Sequence, residues 1–189
     1  IELVRSLTKN NTTYTDINLA SLALGGMTQG VSTYDMAAAY STFARQGTYI
    51  EPKTYTMVTD SNRQVLLRNE SEEETILAER TTYYITEMLQ QVVTGGSGAT
   101  GKAANFSGQE IAGKTGTTTS RRDLWFVGYT PYYTAAVWTG YDQQERLSSS
   151  LGNPSTGLWR QVMSAVHQNL AYKDFTQPDS SNLRTVTYC

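Results

Sequence analysis

The chain has 189 residues, 39% hydrophobic and 17% charged, with a formal net charge of −2; that suits one well-buried domain or a large piece of a bigger one. The near-neutral balance, with no basic block, removes the long-range attraction that nucleic acid or an acidic membrane surface needs, so no nucleic-acid partner is expected. The one cysteine, Cys189, closes the chain and excludes an internal disulfide, and no apolar run approaches the ~20 residues of a membrane helix.

The chain opens "IELVRSLTKN" with no initiator Met or signal pattern. It reads as mid-helix, which predicts a fragment of a longer protein. "SLALGGMTQGVSTYDMAAAYSTFARQG" reads as a Gly-rich turn and then a helix. Ser32 caps that helix with Asp35 as the short form of a capping box, Met36, Ala39, Tyr40 and Phe43 recur at helical spacing, and Gly47 stops it. The Ala37-Ala38-Ala39 run calls for close packing on a neighbour. "KTYTMVTDSNRQVLLR" alternates as a hairpin about Asp60-Ser61-Asn62. After the acidic "NESEEE" a second amphipathic helix is predicted over 78–93, burying Ile85, Met88, Leu89, Val92 and Val93.

Three strands are predicted over 110–118, 124–129 and 134–141. Their short links demand antiparallel neighbours. A last helix over 155–170 would turn Leu158, Trp159, Val162, Met163 and Val166 to the sheet. The remaining "YKDFTQPDSSNLRTVTYC" has no periodicity. The fold class expected is α/β (α+β), an antiparallel sheet flanked by helices. One domain would fill 1–170, and an extended tail would fill 171–189.

Two glycine-lysine signatures compete for the chemistry. Gly96 to Lys102 has the G-x-x-x-x-G-K spacing of a phosphate-binding loop. That motif needs a Ser or Thr after the lysine for Mg²⁺ and must follow a strand and open a helix. Here Ala103 follows Lys102 and a helix precedes Gly95, so the stretch reads as a flexible connection. Lys114-Thr115-Gly116-Thr117 passes the same test. In a strand Thr115 and Thr117 share one face and Lys114 and Gly116 the other. Two hydroxyls beside an ammonium can receive a carboxylate. Gly116 admits a close neighbour from behind, and an edge strand offers N–H groups to an extended peptide. The Thr117 amide could be half of an oxyanion hole. Taken alone, the tetrapeptide also fits a glycine-interrupted edge strand with no chemistry.

"AGKTGTT", "DLWFVGYTP" and "AAVWTGYD", with "SLALGGMTQGVSTYDMAAAYSTFARQGTYIEP" upstream, resemble the transpeptidase domain of class A penicillin-binding proteins over about residues 19–142. The resemblance implies a penicillin-binding/serine β-lactamase-like fold and a mechanism on three motifs, S-x-x-K, S-x-N and K-T-G. It implies that the serine attacks the penultimate D-Ala carbonyl of a peptidoglycan stem peptide, and that a neighbouring amine resolves the acyl-enzyme. By that resemblance Lys114 and Thr117 are catalytic, the first by its positive potential and the second by its amide. By the same resemblance Thr115, Gly116 and Thr117 form the substrate-binding strand, the two threonines taking the carboxylate of D-Ala-D-Ala or of a β-lactam and Gly116 permitting its close approach. No cofactor and no metal is implied.

The nucleophile is harder to place. Ser6-Leu7-Thr8-Lys9 has the letters of S-x-x-K, and a helix would put Ser6 and Lys9 on one face. However, no S-x-N lies between Lys9 and Lys114, and the one in the chain, Ser180-Ser181-Asn182, follows K-T-G. Ser6 therefore reads as surface helix. The expectation is a C-terminal part of the catalytic domain, inactive alone. The nucleophile, S-x-N loop, glycosyltransferase domain and single-pass anchor at the extracytoplasmic face of the bacterial membrane would lie in the missing N-terminal part. A D,D-carboxypeptidase, β-lactamase or penicillin sensor of the same fold, or a non-catalytic peptide-binding module, would share the same K-T-G strand. Arg121, Arg122 and Asp123 fall in a turn at the mouth of the site, where they either contact a stem peptide or stay solvated. His167 has no partner at metal-ligand spacing and reads as a surface or half-buried residue.

Overall fold

The computed structural model describes residues 6–9, 12–27, 30–179 and 183. Its centre is a three-stranded antiparallel sheet in the order β7 (Ala112–Thr117), β8 (Leu124–Tyr129), β9 (Thr134–Thr139). The strands fall within the ranges expected for them, 110–118, 124–129 and 134–141. Helix α2 (Thr33–Ala44) packs on one face, through Tyr40 against Tyr129, and α4 (Pro154–Val166) covers the other, through Trp159 against Phe126. Helix α3 (Glu79–Thr94) lies along β7. The Ser32–Asp35 capping box forms in both directions and starts α2. Gly47, at φ 98°, then turns the chain so tightly that a Cβ there would lie 2.0 Å from the Leu77 carbonyl oxygen.

Smaller elements precede the sheet. Strands β1 (Ser6–Lys9) and β2 (Thr12–Thr15) pair antiparallel, a short α1 spans Leu19–Ala23, and β3 (Thr48–Ile50) pairs with β6 (Glu73–Thr75). The hairpin of β4 (Met57–Thr59) and β5 (Val65–Arg68) turns on Asp60, whose side chain accepts from the amides of Asn62 and Gln64. The opening segment corrects the expectation of a helix. A run rich in β-branched threonine prefers a pleated backbone, and the helical spacing on which a Ser6–Lys9 pair would depend is absent from it. Ser180-Ser181-Asn182 lies outside the described residues.

The core gathers Val93, Ala104, Ile111, Phe126, Trp159 and Met163. Phe126 sets its geometry. Its ring spans the two glycines of its face, and a Cβ built at Gly113 or Gly128 would meet it at 2.6 or 2.8 Å. Trp159 closes over Phe126 edge-on at 5.1 Å and donates its indole N–H to the Ala135 carbonyl.

Two predicted helix faces need correcting. On α3 the predicted stripe holds at Val93, which is buried, and in part at Ile85, Leu89 and Val92, which are half-buried; Met88 is 63% exposed, and Thr82 and Thr86 are buried in addition. On α4 Trp159 and Met163 are buried with Ser155 and Thr156, whereas Leu158, Val162 and Val166 face outward. Periodicity located both helices but assigned the face by hydrophobicity alone. The buried threonines and serine are tolerated because their hydroxyls are bonded: Thr82 to the Glu79 carbonyl, Thr86 to the Tyr129 phenol, and Ser155 to the Leu124 carbonyl. His167 is likewise buried, not at the surface. Its Nδ1 donates to the Met163 carbonyl. Thr130 Oγ1 accepts from the amides of Tyr132 and Tyr133, so its own proton goes to Nε2.

Replacing Gly128 by Ala is expected to displace Phe126 and Trp159 and cost about 1–3 kcal/mol, read as a lower melting temperature of the protein that contains this chain. Burial pushes the Tyr129 phenol well above its usual range, and the Thr86 bond offsets part of that. The phenol must therefore stay protonated for the fold. Its contribution is whole below the unfolded value of about 10 and is lost as pH climbs beyond it. Urea midpoints between about pH 8 and pH 11 should fall less steeply in Tyr129→Phe than in the unsubstituted protein.

Candidate active site

The K-T-G segment lies on β7, at an edge of the sheet. The strand is buried in its first half, where α3 runs beside it, and opens from Lys114 onward. The pairing Thr115↔Phe126 and Gly116↔Trp125 puts Thr115 and Thr117 on the face of Phe126, and Lys114 and Gly116 on the opposite face. Thr115 is half-buried and its hydroxyl meets that of Thr100 at 2.8 Å. Thr117 is exposed. The exposed Lys114 folds its ammonium back onto the Thr115 carbonyl at 2.9 Å. All four residues thus cluster at one end of the open edge. What presses on Gly116 is not a helix but the side chain of Trp125 across the ladder, whose Cβ would lie 3.1 Å from an added one.

The segment 95–105 that precedes this strand holds the rejected phosphate-loop spacing. It forms two short 3₁₀ turns, Gly96–Gly98 and Lys102–Ala104, directly after a helix. Its job is packing: the Gly101 amide donates to the Val92 carbonyl, Ala104 enters the core, and Thr100 reaches Thr115. Among the described residues, no group of His, Cys, Asp and Glu has the arrangement of a metal site, and no helix is long and apolar enough to cross a membrane.

Beyond Thr117 the chain turns through 118–123. Thr118 organises the turn, its hydroxyl accepting from the amides of Arg122 and Asp123. The three charges that follow do different work. Arg121, at φ 51°, donates to the carbonyls of Ser148 and Gly152 and, through its own carbonyl, accepts from the Leu147 amide. It is a strap for the 144–152 segment. Asp123 accepts from the Trp138 indole. Arg122 donates to Gln144 and, with Arg146, Thr119 and Ser120, lines a cleft of about 330 Å³. Sequence singled out the charged turn but missed Arg146, which lies 24 residues from Arg122 and carries no motif.

The fold is that of the penicillin-binding enzymes. The chain aligns with the crystal structure of penicillin-binding protein 1A from Haemophilus influenzae at a TM-score of 0.72, covering 84% of this chain and 29% of that one, at 18% identity. It aligns with penicillin binding protein 3 from Mycobacterium tuberculosis at 0.66, covering 90% and 42%, again at 18% identity. A family model described as "Penicillin binding protein transpeptidase domain" matches residues 4–163. Among curated relatives, penicillin-binding protein 1A of Clostridium botulinum is 39% identical over 163 residues, 86% of this chain and 20% of that protein. Penicillin-binding protein 1F of Bacillus subtilis is 39% identical over 132 residues, 67% of this chain and 18% of that protein. The chain belongs to the penicillin-binding protein transpeptidase domain family, and it spans about a fifth of the length of these relatives.

Arg121→Ala is expected to remove two charge-assisted bonds and cost about 1–2 kcal/mol, given partial exposure. Amide hydrogen exchange across residues 144–152 should quicken, while the amides of β8 keep their protection.

Proposed function

We propose that this chain supplies the carboxylate-binding and oxyanion side of a serine-type peptidoglycan D,D-transpeptidase. The observation that supports the reading most is the open end of β7, with Lys114, Thr115 and Thr117 gathered at an edge to which a peptide can add as a further strand. In this reading the donor's terminal D-Ala carboxylate sits on the hydroxyls of Thr115 and Thr117. The Lys114 ammonium leaves the Thr115 carbonyl to lend its field to the reacting groups.

A serine hydroxyl from the remainder of the protein attacks the penultimate D-Ala carbonyl, its proton passing to the lysine of S-x-x-K. The tetrahedral oxyanion accepts a hydrogen bond from the Thr117 amide. Collapse breaks the D-Ala–D-Ala bond and the terminal D-Ala leaves, taking up that proton on its amine. The amine of a second stem peptide then attacks the acyl-enzyme, forming the cross-link and returning the serine. A β-lactam enters by the same route and remains as the acyl group. Nucleophile, S-x-N loop, glycosyltransferase domain and a membrane anchor at the extracytoplasmic face belong, on this proposal, to the rest of the protein.

The test is labelling with a fluorescent penicillin. The protein that contains this chain should take the label, and the 189-residue piece alone should not. Lys114→Ala in that protein should slow acylation by ~10²–10³, as loss of a preorganised charge does. Acylation at an unchanged rate would remove Lys114 from the mechanism. Release of the acyl group to water in preference to an amine would make the enzyme a carboxypeptidase.

A further inference from the structure

The direction in which a peptide can lie on β7 is restricted. Ala112 and Gly113 are buried, so a ligand anchored at Thr115 and Thr117 cannot extend toward the start of the strand. The edge is open the other way, through Thr117 and Thr118 to Thr119 and Ser120. Thr118 still holds ladder geometry, its amide donating to the Asp123 carbonyl. Two residues beyond Thr117, ~7 Å along an extended backbone, the ligand meets the cleft formed by Thr119, Ser120, Arg122 and Arg146.

That cleft is held from behind. Arg121 straps the carbonyls of Ser148 and Gly152, its own carbonyl holds the Leu147 amide, and Leu147 is buried at 4% exposure. This is what brings Arg146, next in sequence to Leu147, to the side of Arg122. Two guanidinium groups thus line one small cleft. Among the described residues the ion pairs are Arg45–Glu73 and Arg68–Glu70, so neither arginine has a carboxylate there. Asp123, next in sequence to Arg122, is not among the residues lining the cleft and accepts from the Trp138 indole, and Arg122 has one neutral partner, Gln144. Two guanidinium groups, with one of their ten N–H donors given to Gln144, and two hydroxyls line the cleft with no carboxylate among them, a chemistry suited to a planar carboxylate.

We infer that the Arg122–Arg146 cleft is a specificity subsite that takes a carboxylate on the donor peptide, carried by a residue inward of its terminal dipeptide. The inference rests on the transpeptidase reading, since it is that reading which places the terminal carboxylate at Thr115 and Thr117. The subsite would separate donors bearing a free carboxylate at that residue from donors in which it is amidated.

The test uses the whole protein and two synthetic donor peptides ending in D-Ala-D-Ala. They are identical except for a carboxylate or a carboxamide on the inward residue. The expected result is a kcat/KM about tenfold or more higher for the carboxylate donor, carried mainly by KM and narrowing as salt is raised. Arg122→Gln and Arg146→Gln should each shrink that ratio, and the double variant should bring it near one. Arg146→Glu should reverse it toward a donor with an ammonium at the same place, which a merely misfolded protein would not do. Equal kcat/KM for the two donors, or a preference that survives the double substitution, overturns the subsite while penicillin labelling of the unsubstituted protein keeps the transpeptidase reading. Absence of that labelling overturns the reading itself, and the subsite with it.

Discussion

One aromatic ring decides where everything else can sit. Phe126, in the middle strand, lies across Gly113 and Gly128, and Trp159 closes over it from α4. A side chain at either glycine would occupy the space of the ring. Their absence lets β7, β8 and α4 pack as one body, at a density in which a single methyl group is felt. The register of β7 on β8 follows from this contact, because a slip by one residue would put Gly113 out of line with Phe126 and turn Thr115 and Thr117 to the other face. The hydroxyls of Thr115 and Thr117 are therefore aimed by a core contact at Gly113, two and four residues earlier on the same strand.

The open edge of the sheet and the turn beyond it form a second layer of design. Thr118 and Arg121 are both spent on structure, the one organising the turn and the other tying the 144–152 segment to it. A left-handed backbone at a bulky arginine costs of order 1 kcal/mol, and the four hydrogen bonds made by that residue, one of them from its own amide to the Thr118 carbonyl, offset it. What remains at the surface, Lys114, Thr117, Arg122 and Arg146, is mostly cationic, while the chain as a whole carries a net charge of −2.

Polar burial accounts for the faces that hydrophobicity misjudged. Thr86, Ser155, Thr130 and His167 each enter the packed region because a specific partner waits there. The apolar Met88, Leu158, Val162 and Val166 are left outside. A hydrophobic stripe measures the average preference of side chains. It carries no information about which hydroxyl finds a carbonyl at 2.9 Å, and that pairing is what removes the cost of burying it.

Local chemistry in the sequence was enough for much of this protein. The Ser32–Asp35 box, the Asp60 turn, the three closely linked strands and the K-T-G segment each depend on residues a few positions apart, and each stands where short-range rules put it. The opening Ser6–Lys9 segment is a strand where a helix is expected, and the reason is again local: its threonine neighbours favour a pleated backbone. Only the folded chain could decide which helix faces are buried, that Arg121 is a strap while Arg122 faces a cleft, and that Arg146 stands beside it. Those outcomes rest on contacts between residues 24 to 43 positions apart, and no local pattern encodes the distance between two side chains that meet only after the sheet and the 144–152 segment have closed on each other.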